Sequence, residues 1–501
     1  MTRPPPQLIV SLPARTVAEA RHEMSEAATG GADLIEVRLD RFSPDELSRA
    51  AGLFPSPRPL IATLRSRAEG GEGPDDPKTR ADILASLARL PFRWIDVELE
   101  RDFPTAESFP SPEGRGWIVS THRVSPVREA EWVRLLREKV PPGSVRKVVV
   151  PAGVRQLMRE LVPGLPPREE TRVVAHTTGG SGPLLRAWSL RLGFAFVYTS
   201  LPEPERKRPP SPVEPSQIPV DRLRGFLATD PTAPLFAVAG HPVAHSLSPR
   251  IHDGWMRQLG HPGLYVALDF EDEREFVETL PSLFESGFRG FNVTHPFKEA
   301  ALDLATRVGS GAEACGVANL LTADSSGVEA ENTDLAAAIR RLEELRGSGD
   351  WDGQSLGVLG AGGSARATLA AAHVLGVESH VWARRPEAAA DLARRFGAHP
   401  VQDTDSVRPS LVVHATPVGR ASQDASSLPD LSLWLRPGVP LLDWVYAPDD
   451  PVLSVTAARC GTTYEDGTRL LVYQAAASFG IWWGAEPSRE LVEQTVGGAR
   501  S

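Results

Sequence analysis

A lysine inside an apolar segment is the first residue whose type and position suggest chemistry. The chain has 54 lysine and arginine residues, of which five are lysines, and Lys147 lies in the middle of the valine-rich sequence VRKVVVP at 145–151. Branched valine side chains favour a buried strand. A lysine amine, unlike a guanidinium, can lose its proton and attack a carbonyl carbon, so Lys147 is a candidate nucleophile. In isolation it would more often be an edge-strand lysine that faces water.

Strand-like apolar segments recur at a regular interval through the first half of the chain. They begin near residues 7, 33, 59, 93, 116, 145, 172 and 194, and the 22 to 34 residues between successive starts leave room for one helix and two short loops. Helical patterns lie between them, for example at 17–29, 80–89 and 128–139. Eight strand-helix units in about 220 residues predict a (β/α)8 barrel, whose reactive groups lie at the carboxyl ends of the strands.

Polar side chains on several of these strands should share the inner face of the barrel, because residues two apart on a strand point the same way. Arg146 is expected on the opposite face from its neighbour Lys147. One polar pair in a strand is usually a hydrogen-bonded core network, whereas convergence from several strands indicates a site. The converging residues are Glu36 with Arg38, Asp96 with Glu98, Ser120 with His122, and Lys147.

Four motifs resemble those of type I 3-dehydroquinate dehydratase over roughly residues 7–228: EVRLD at 36–40, TLRS followed by EGG at 63–71, STH at 120–122, and RKVVV. The resemblance implies that Lys147 forms a Schiff base with the substrate ketone. His122 would remove the α-proton and return it to the departing hydroxyl. The residues that the resemblance places around the substrate are Glu36, Arg38, Arg65, Arg186 and Gln217. Lysine chemistry alone leaves a Schiff-base aldolase open.

Three positions in two segments of this half depart from the family pattern. Arg123 follows the histidine, and the sequence VEPSQ has Val213 and Ser216 where serine and glycine are common, which affects the contacts of that loop. Residues 201–219 contain seven prolines and read by composition as a linker. A barrel needs an eighth helix, however, and 219–227 is the candidate for it. We therefore interpret the proline-rich segment as a mobile lid and expect the boundary near Asp230.

The second half contains a dinucleotide-binding pattern at 355–376, SLGVLGAGGSARATLAAAHVLG. A strand, a G-x-G-x-x-A turn and a helix follow one another as this motif requires, so that helix amides face the pyrophosphate. At the end of the next strand, where an NAD enzyme places an acid, the chain has Arg384 and Arg385. Paired guanidiniums suit a 2′-phosphate and favour NADP; a solvated arginine pair is the alternative.

Further motifs of this half resemble shikimate dehydrogenase over residues 234–490: AGHPVAHSLSPRIHD, GFNVTHPFKEA, VANLL, ENTDL, HATPVG, DWVYAP and DGTRLLVYQAA. The resemblance implies a catalytic pair, Lys298 and Asp334. With Asp334, the residues implied around the substrate are Ser246, Ser248, Asn292, Thr294, Asn319, Tyr446 and Gln474. Those implied for the cofactor are Gly360, Ala361, Gly362, Gly363, Ser364, Ala365, Arg384, Arg385, Thr416, Val418 and Gly467.

The chemistry of ketone reduction explains the lysine and aspartate pair. Hydride addition leaves an alkoxide that needs a proton, and an ammonium held by a carboxylate stabilises the charge and supplies the proton. Taken alone, Asp334 would be read as a helix cap and Lys298 as a surface charge. Four departures from the family pattern can alter cofactor preference and rate: Leu320 for threonine, Leu335 for glycine, His414 for asparagine, and Arg420 for an apolar residue.

Composition limits the remaining possibilities. The 501 residues suffice for about three domains, and no apolar run reaches the ~18 residues of a membrane span. The N-terminus lacks a signal-peptide pattern, and Cys315 and Cys460 fit neither a disulfide framework nor a metal site, so we expect a cytoplasmic protein without bound metal. A net charge of −10 argues against non-specific nucleic-acid binding.

Together these patterns predict an α/β protein with an N-terminal (β/α)8 barrel and a two-lobed unit. The barrel covers 1–228, an α/β substrate lobe 232–335 plus 466–501, and a Rossmann NADP-binding lobe 336–465. The predicted function is dehydration of 3-dehydroquinate to 3-dehydroshikimate, followed by NADPH-dependent reduction to shikimate, by a monomer or homodimer. The alternatives are a catabolic quinate or shikimate dehydrogenase that uses NAD, and a non-catalytic sensor of these small molecules.

Overall fold

The computed structural model describes residues 5–102, 115–166, 172–203, 213–228, 232–402, 407–419, 428–446 and 452–500. Contacts divide the chain into two compact units. Unit 1 comprises Met1–Phe236, His241–Ser246 and Met256–Gly287, and unit 2 comprises Ala237–Gly240, Leu247–Trp255 and Phe288–Ser501. The three predicted domains stay a prediction. The expected boundary at Asp230, residues 204–212 of the expected lid, and Arg420 lie outside the described residues.

Unit 1 begins with a nearly closed (β/α)8 barrel, as the sequence predicts. The order of its strands is β7-β6-β5-β4-β3-β2-β1-β8, and each pairing between neighbours is parallel. Each strand starts within two residues of its predicted start. The strands are β1 Gln7–Leu12, β2 Leu34–Arg38, β3 Leu60–Thr63, β4 Trp94–Glu98, β5 Gly116–His122, β6 Val145–Pro151, β7 Val173–Thr178 and β8 Phe196–Thr199.

The inside of the barrel is apolar at one level and polar at the next. The buried cluster includes Ile9, Ile61, Trp94 and Phe196, with the last two rings in an edge-to-face contact at 5.5 Å. Two residues further along β4, the side chain is Asp96. Because inward positions alternate along a strand, the apolar layer supports the polar layer from below.

The helices of the barrel begin where the sequence provides caps. Thr16 accepts a hydrogen bond from the Glu19 main-chain N–H at 3.1 Å, and Asp76 accepts one from Thr79 at 2.8 Å, next to Pro77 in the first turn. The helices are Val17–Thr29, Pro44–Ser48, Pro77–Leu87, Glu129–Arg137, Val154–Gln156, Gly182–Leu192 and Val220–Leu227. The last, Val220–Leu227, is the helix that the sequence predicted after the eighth strand.

Unit 1 continues beyond the barrel with β10, Leu264–Asp269, and the helix Glu273–Glu285. Leu264 donates its main-chain N–H to Pro234. The Asp269 carboxylate lies 2.6 Å from His241 Nδ1 and accepts the Val243 N–H at 3.1 Å, so it holds the start of the loop that contains Ser246.

Unit 2 contains two sheets. In the first, the order is β9-β11-β13-β14-β12, with β9 at Leu235–Gly240, of which Ala237–Gly240 belong to this unit. The other strands of this sheet are β11 Phe288–Val293, β12 Arg307–Val308, β13 Leu320–Asp324 and β14 Gly327–Glu331. Leu320, one of the departures, is buried in β13.

The second sheet of unit 2 is parallel, with the order β17-β16-β15-β18-β19-β20. This is the order of a Rossmann fold, in which the strand sequence reverses between two central strands and leaves a crevice at their carboxyl ends. The reversal here lies between β15 and β18. The strands are β15 Ser355–Leu359, β16 Glu378–Trp382, β17 His399–Pro400, β18 Leu411–His414, β19 Leu441–Asp443 and β20 Tyr464–Glu465.

Helices cover both sheets of unit 2. Among the described residues they are Ser248–Leu259, of which Ser248–Trp255 belong to this unit, Lys298–Asp303, Ser310–Cys315, Thr333–Ser348, Gly363–Val374, Pro386–Phe396, Val452–Arg459, Thr468–Trp483 and Arg489–Arg500. Trp434 is fully buried in the core of the Rossmann sheet. Among the described helices, none combines the length and the apolar character that crossing a membrane requires.

Candidate active sites

The barrel of unit 1 has a cavity of about 400 Å³ at the carboxyl ends of its strands. This is the end at which barrel enzymes place their chemistry. The cavity is lined by the seven residues that the resemblance implied for this half: Lys147, His122, Glu36, Arg38, Arg65, Arg186 and Gln217. Asp96, Glu98 and Ser120, which were also expected to converge, are buried and hydrogen-bonded to Arg65.

Lys147 points into this cavity from the middle of β6 and is 4% exposed. Its Nζ lies 3.1 Å from Asp96 Oδ2, 3.6 Å from Glu36 Oε1 and 3.9 Å from the centre of the Tyr198 ring. Burial alone would raise the pKa of Asp96, but Arg65 and Lys147 lower it below the usual value. The amine therefore lies beside a carboxylate, and above an aromatic face that also attracts a cation.

Arg146, the neighbour of Lys147, lies on the outer face as expected. Its guanidinium donates to the carbonyl oxygens of Leu135 and Val119 and to the Thr121 hydroxyl, at 2.8 Å in each case. This arginine therefore binds the surrounding helix and strand, and Lys147 is the cation of β6 that reaches the cavity.

His122 ends β5 at the rim of the cavity and contacts Glu69, which follows β3. Its Nδ1 lies 3.3 Å from Glu69 Oε2, which also accepts the His122 main-chain N–H at 2.9 Å. Burial lowers the pKa of His122 well below its usual range, and Arg65 and Lys147 add to the effect. Burial also raises the pKa of Glu69 to about 7. The imidazole is thus neutral at neutral pH, as a proton acceptor must be.

Arg65 connects three acids, of which Glu69 follows β3 and Asp96 and Glu98 lie on β4. Its guanidinium donates to Glu69 at 2.9 Å, Asp96 at 2.8 Å and Glu98 at 3.2 Å, and to the Ser120 hydroxyl at 3.0 Å. These acids raise its pKa further although burial opposes them. These hydrogen bonds hold the carboxylates in place. The predicted contact of Arg65 with substrate stays a prediction.

Arg186 projects from the helix Gly182–Leu192 under the segment 213–217. Its Nη1 donates to the carbonyl oxygens of Thr177 and Gly182 and to the Ser216 hydroxyl, whereas its Nη2 donates to Glu214 Oε2 at 3.0 Å. The segment 213–217 therefore contributes an acid at this guanidinium. Its neighbour Gln217 donates from Nε2 to the Ser11 hydroxyl at 3.2 Å.

Two further predicted residues stand on β2. Glu36 accepts hydrogen bonds from the hydroxyls of Ser11 and Thr63. Arg38 forms a bidentate salt bridge with Asp40, in which both hydrogen bonds are 2.8 Å long. The departure Arg123 lies at the cavity rim, where it pairs with Glu100 and Glu131.

Several cavity residues were missed when the site was predicted from sequence. Tyr198 and His176 were read as parts of apolar strands, although their alternation with Phe196 and Val174 would have placed them on the inner face. Glu69 lies in the EGG motif already noted, and Glu214 in VEPSQ. These loop acids have no periodicity that would reveal their partners.

Lys298 and Asp334 form a close ion pair in unit 2, as the motifs implied. Lys298 Nζ lies 2.5 Å from Asp334 Oδ2, and Asp334 Oδ1 accepts from Asn319 Nδ2 at 2.8 Å. The cap of the helix Thr333–Ser348 is Asn332, whose side chain accepts the Leu335 N–H. Asp334 is therefore not the cap, and its carboxylate is available to position the lysine.

A buried polar network extends from this pair. Asn292 Nδ2 donates to Ser478 at 2.8 Å and lies 3.5 Å from Gln474 Oε1, and Thr333 bridges Asn319 and Ser478. The sequence predicted Asn292, Asn319 and Gln474 but missed Thr333 and Ser478. Thr333 lies in the ENTDL motif, and Ser478 follows the DGTRLLVYQAA motif. A single hydroxyl residue in a helical segment gives little indication of a site.

The other predicted substrate residues belong to separate segments of the chain. Ser248 begins a helix and is buried, and Thr294 follows β11 and donates its N–H to Ala239. Ser246 belongs to unit 1, where its N–H donates to Val243. Tyr446 is half-buried three residues after β19.

The glycine-rich turn follows β15 at the reversal of the Rossmann sheet. Gly360 has φ +124°, and a Cβ there would lie 2.6 Å from the Ala415 carbonyl oxygen, so only glycine fits. Gly362 borders open space and precedes the helix Gly363–Val374, whose first amides have no side-chain cap. The other members of the turn are Ala361, between the two glycines, and Ser364 and Ala365 in the first turn of the helix. This arrangement fits a dinucleotide pyrophosphate.

Two arginines follow β16 at the same edge of the sheet. Arg384 and Arg385 are both exposed, and among the described residues neither guanidinium has a hydrogen bond or ion pair. They are thus available to an anion beside the turn. A Cβ on Gly363 would lie 2.7 Å from Lys298 Cδ, so Lys298 reaches the start of the helix Gly363–Val374.

The remaining predicted cofactor residues flank the crevice. Thr416 and Val418 follow β18, and the Val418 N–H donates to the Thr416 hydroxyl at 3.2 Å. Gly467 precedes the helix Thr468–Trp483, and a Cβ there would lie 2.3 Å from the Trp444 carbonyl oxygen. Within the described part of the chain, no group of three or more His, Cys, Asp or Glu side chains could hold a metal ion.

Comparisons with known proteins agree with this division of the chemistry. Residues 8–233 match the family model of type I 3-dehydroquinase, and residues 238–321 match that of the shikimate dehydrogenase substrate binding domain. Shikimate dehydrogenase (NADP(+)) of Acidiphilium cryptum is 37% identical over 260 residues, which are 51% of this chain and 92% of that protein. The Methylobacterium radiotolerans protein of the same name is 38% identical over 267 residues, 50% of this chain and 91% of its own.

Solved structures of shikimate dehydrogenases are also similar to about half of the chain. The crystal structure of shikimate 5-dehydrogenase from Thermus thermophilus in complex with shikimate is 34% identical, with a TM-score of 0.45, and covers 53% of this chain and 99% of that one. The sequence relatives above are sufficient to assign the family. The chain belongs to the shikimate dehydrogenase family through its second half, which follows a type I 3-dehydroquinase domain.

Proposed function

We propose that this chain is a bifunctional enzyme of the shikimate pathway. Its barrel dehydrates 3-dehydroquinate to 3-dehydroshikimate, and its second half reduces that ketone to shikimate with NADPH. The observation that carries the proposal is the placement of Lys147 beside Asp96 in one cavity with the His122 and Glu69 pair. The product of the first reaction is the substrate of the second, which gives the fusion a chemical rationale.

In the barrel, the Lys147 amine attacks the substrate ketone, and loss of water gives a protonated imine. The imine withdraws electrons and acidifies the neighbouring C–H. Neutral His122 takes that proton, and the resulting enamine expels the β-hydroxyl, which His122 protonates as it leaves as water. Hydrolysis of the imine then releases the enone and restores the amine. Glu36 and Asp96 lie within 3.6 Å of Nζ and stabilise the positive charge of the imine.

In the second half, Lys298 supplies the proton for ketone reduction. When bound, NADPH provides the hydride. Lys298 Nζ donates to the oxygen that becomes an alkoxide, while Asp334, fixed by Asn319, holds the ammonium in position. Asn292 and Gln474 are suited to hydrogen bonds with the substrate's hydroxyls and carboxylate.

The cofactor would be held by the turn and the two arginines of the Rossmann sheet. The uncapped helix amides suit the pyrophosphate, and the exposed guanidiniums of Arg384 and Arg385 suit a 2′-phosphate, which favours NADP over NAD. The names of the sequence relatives, shikimate dehydrogenase (NADP(+)), support this choice.

Incubation of the purified chain with 3-dehydroquinate and NADPH tests the function directly. We expect shikimate as the product, with 3-dehydroshikimate accumulating when NADPH is omitted. Lys147→Arg should abolish both products from 3-dehydroquinate but leave reduction of added 3-dehydroshikimate intact. Absence of 3-dehydroshikimate with wild-type protein would contradict the proposal for the barrel, and faster reduction with NADH than with NADPH would contradict the cofactor assignment.

The location and assembly of the enzyme also belong to the proposal. Cys315 and Cys460 are both free thiols, which is consistent with a reducing cytoplasm. We infer a monomer or homodimer, and light scattering of the purified chain would distinguish the two.

A further inference from the structure

A continuous chain of hydrogen bonds lies at the cofactor crevice of unit 2 and has no role in the mechanism above. His414 ends β18 and Asp443 ends β19, where the two residues are paired in register. His414 Nδ1 lies 2.7 Å from Asp443 Oδ1, and His414 Nε2 lies 2.5 Å from Thr416 Oγ1. Both side chains of the pair are essentially inaccessible to solvent. Each polar group in a buried chain of this kind needs a hydrogen-bond partner, so the contacts indicate which atoms donate and which accept.

Among the described residues, the groups that contact the Asp443 carboxylate are all able to donate a hydrogen bond. In addition to His414, Oδ1 accepts the Val445 N–H at 2.9 Å and Oδ2 accepts the Tyr464 O–H at 3.0 Å. Burial and the neighbouring Asp443 raise the pKa of Tyr464, so its phenol remains a donor. The carboxylate therefore requires a proton on Nδ1 of His414, and in the neutral imidazole Nε2 then carries a lone pair.

This tautomer determines how Thr416 is oriented. Its hydroxyl proton points to the Nε2 lone pair of His414, and its oxygen accepts the Val418 N–H at 3.2 Å. The oxygen has one more lone pair and no second proton. Thr416 is thus fixed as a hydrogen-bond acceptor toward a ligand and cannot act as a donor.

The position of Thr416 places this acceptor next to the dinucleotide turn. A Cβ on Gly360 would lie 2.6 Å from the Ala415 carbonyl oxygen and 3.2 Å from Thr416 Cγ2, so the two segments are in close contact. β15 and β18 are neighbours at the reversal of the sheet, where Rossmann folds bind dinucleotides. The arginines that suit the 2′-phosphate follow β16, on the other side of β15 from Thr416.

We propose that His414 and Asp443 are positioning residues that fix the Thr416 hydroxyl as an acceptor for the nicotinamide-ribose half of the cofactor. The donor on the cofactor would be its carboxamide N–H or a ribose hydroxyl. This inference rests on the proposed NADP-dependent function of the same site. Where the family pattern has asparagine, this chain has an imidazole that contacts Thr416 and Asp443 at once.

Binding measurements on the full chain test the proposal without relying on turnover. We would measure the Kd of NADPH by fluorescence and the Kd of adenosine 2′,5′-bisphosphate, which lacks the nicotinamide half, by calorimetry. Thr416→Val and His414→Ala should each weaken NADPH binding about tenfold, the equivalent of one hydrogen bond. The same variants should leave binding of the bisphosphate within about twofold of wild type.

The double variant distinguishes positioning from independent contacts. Because His414 acts through Thr416, His414→Ala should cause no further loss of NADPH affinity in the Thr416→Val background. His399→Asn, at an exposed histidine of the same sheet, is the matched control and should bind both ligands as wild type does. Thermal unfolding would confirm that each variant is folded.

Other results would overturn the inference. Additive losses in the double variant, equal losses for both ligands, or unchanged NADPH affinity in Thr416→Val would each contradict it. If His414→Ala does not fold, Asp443→Asn replaces it in the same cycle with the same expectation. Failure of the wild-type chain to bind NADPH would instead contradict the proposed function, so the two failures are distinguishable.

Discussion

His122 Nδ1 lies 3.3 Å from Glu69 Oε2, and that oxygen also accepts the His122 main-chain N–H at 2.9 Å. One carboxylate oxygen thereby fixes both the backbone and the ring of the residue that accepts the substrate proton. With a proton on Nδ1 directed to Glu69, Nε2 is left as the basic atom. The pairing joins a loop after β3 to the end of β5, 53 residues apart in the chain.

The Glu69 and His122 pair predicts the acidic side of the pH profile for dehydration. Burial raises the pKa of Glu69 to about 7 and lowers that of His122 well below its usual range. As the pH falls through about 7, Glu69 takes up a proton and stops accepting from Nδ1, so kcat should fall with an apparent pKa that belongs to the pair. Steady-state rates from pH 5 to 9 would measure it.

Glu69→Gln should remove this acidic limb and lower kcat about 10²-fold, a typical contribution of a positioned general base. Glu100→Gln, which changes an exposed acid paired with Arg123 at the cavity rim, is the control and should keep the wild-type profile. An unchanged acidic limb in Glu69→Gln would show that another group sets the profile.

Glu214 predicts an unusual gain in substrate affinity on mutation. It occupies the Nη2 donor of Arg186, the one terminal nitrogen of that guanidinium that does not bond main-chain oxygens. The substrate carboxylate must displace Glu214 if it binds Arg186. Glu214→Gln removes the competing charge and should lower KM for 3-dehydroquinate several-fold, about 1 kcal/mol of lost ion pairing. A higher KM would contradict this competition and would mean that Glu214 contributes to substrate binding.

Replacement of Lys298 should impair reduction of 3-dehydroshikimate without affecting dehydration. Lys298→Ala removes the proton donor and should lower kcat for 3-dehydroshikimate reduction about 10³-fold, while dehydration in the barrel stays at the wild-type rate. Separate assays of the two reactions would check both statements. Lys139→Ala, at an exposed lysine of unit 1, is the matched control. An unchanged reduction rate in Lys298→Ala would refute its role.

The two arginines after β16 should determine the preference for NADPH over NADH. Replacing Arg384 and Arg385 by alanine should raise KM for NADPH about tenfold or more, because charge-assisted bonds to the 2′-phosphate are lost, and should change KM for NADH little. Arg394→Ala changes an exposed arginine of the following helix, paired with Asp391, and should affect neither. Equal effects on the two cofactors would exclude recognition of the 2′-phosphate by this pair.

The barrel and the Rossmann turn could be predicted from sequence because both have strong local patterns. Strand starts of the barrel fell within two residues of those observed, and the placement of Lys147 and Arg146 on opposite faces of β6 followed from alternation. The turn at Gly360 was recognisable because a positive φ beside the Ala415 carbonyl requires glycine there.

Lateral partners could not be predicted in the same way. Which acid contacts His122, or which ring lies under Lys147, depends on the register between strands and on loop conformation, and neither has a sequence period. The same holds for Asp334, whose position near a helix start suggested a cap, whereas the structure uses Asn332. The sequence identified His414 as a departure from the family pattern. Its contact with Asp443 could not be predicted from sequence, because Asp443 lies on the neighbouring strand β19.

Borohydride trapping with 3-dehydroquinate tests the central claim most directly, because it reduces an imine to a stable amine at the residue that formed it. Mass mapping of the trapped chain should place the whole adduct on Lys147, and Lys147→Arg should abolish it, while Lys78→Ala, at an exposed lysine, should not. An adduct on any other residue, or dehydration that proceeds with no adduct, would contradict the account.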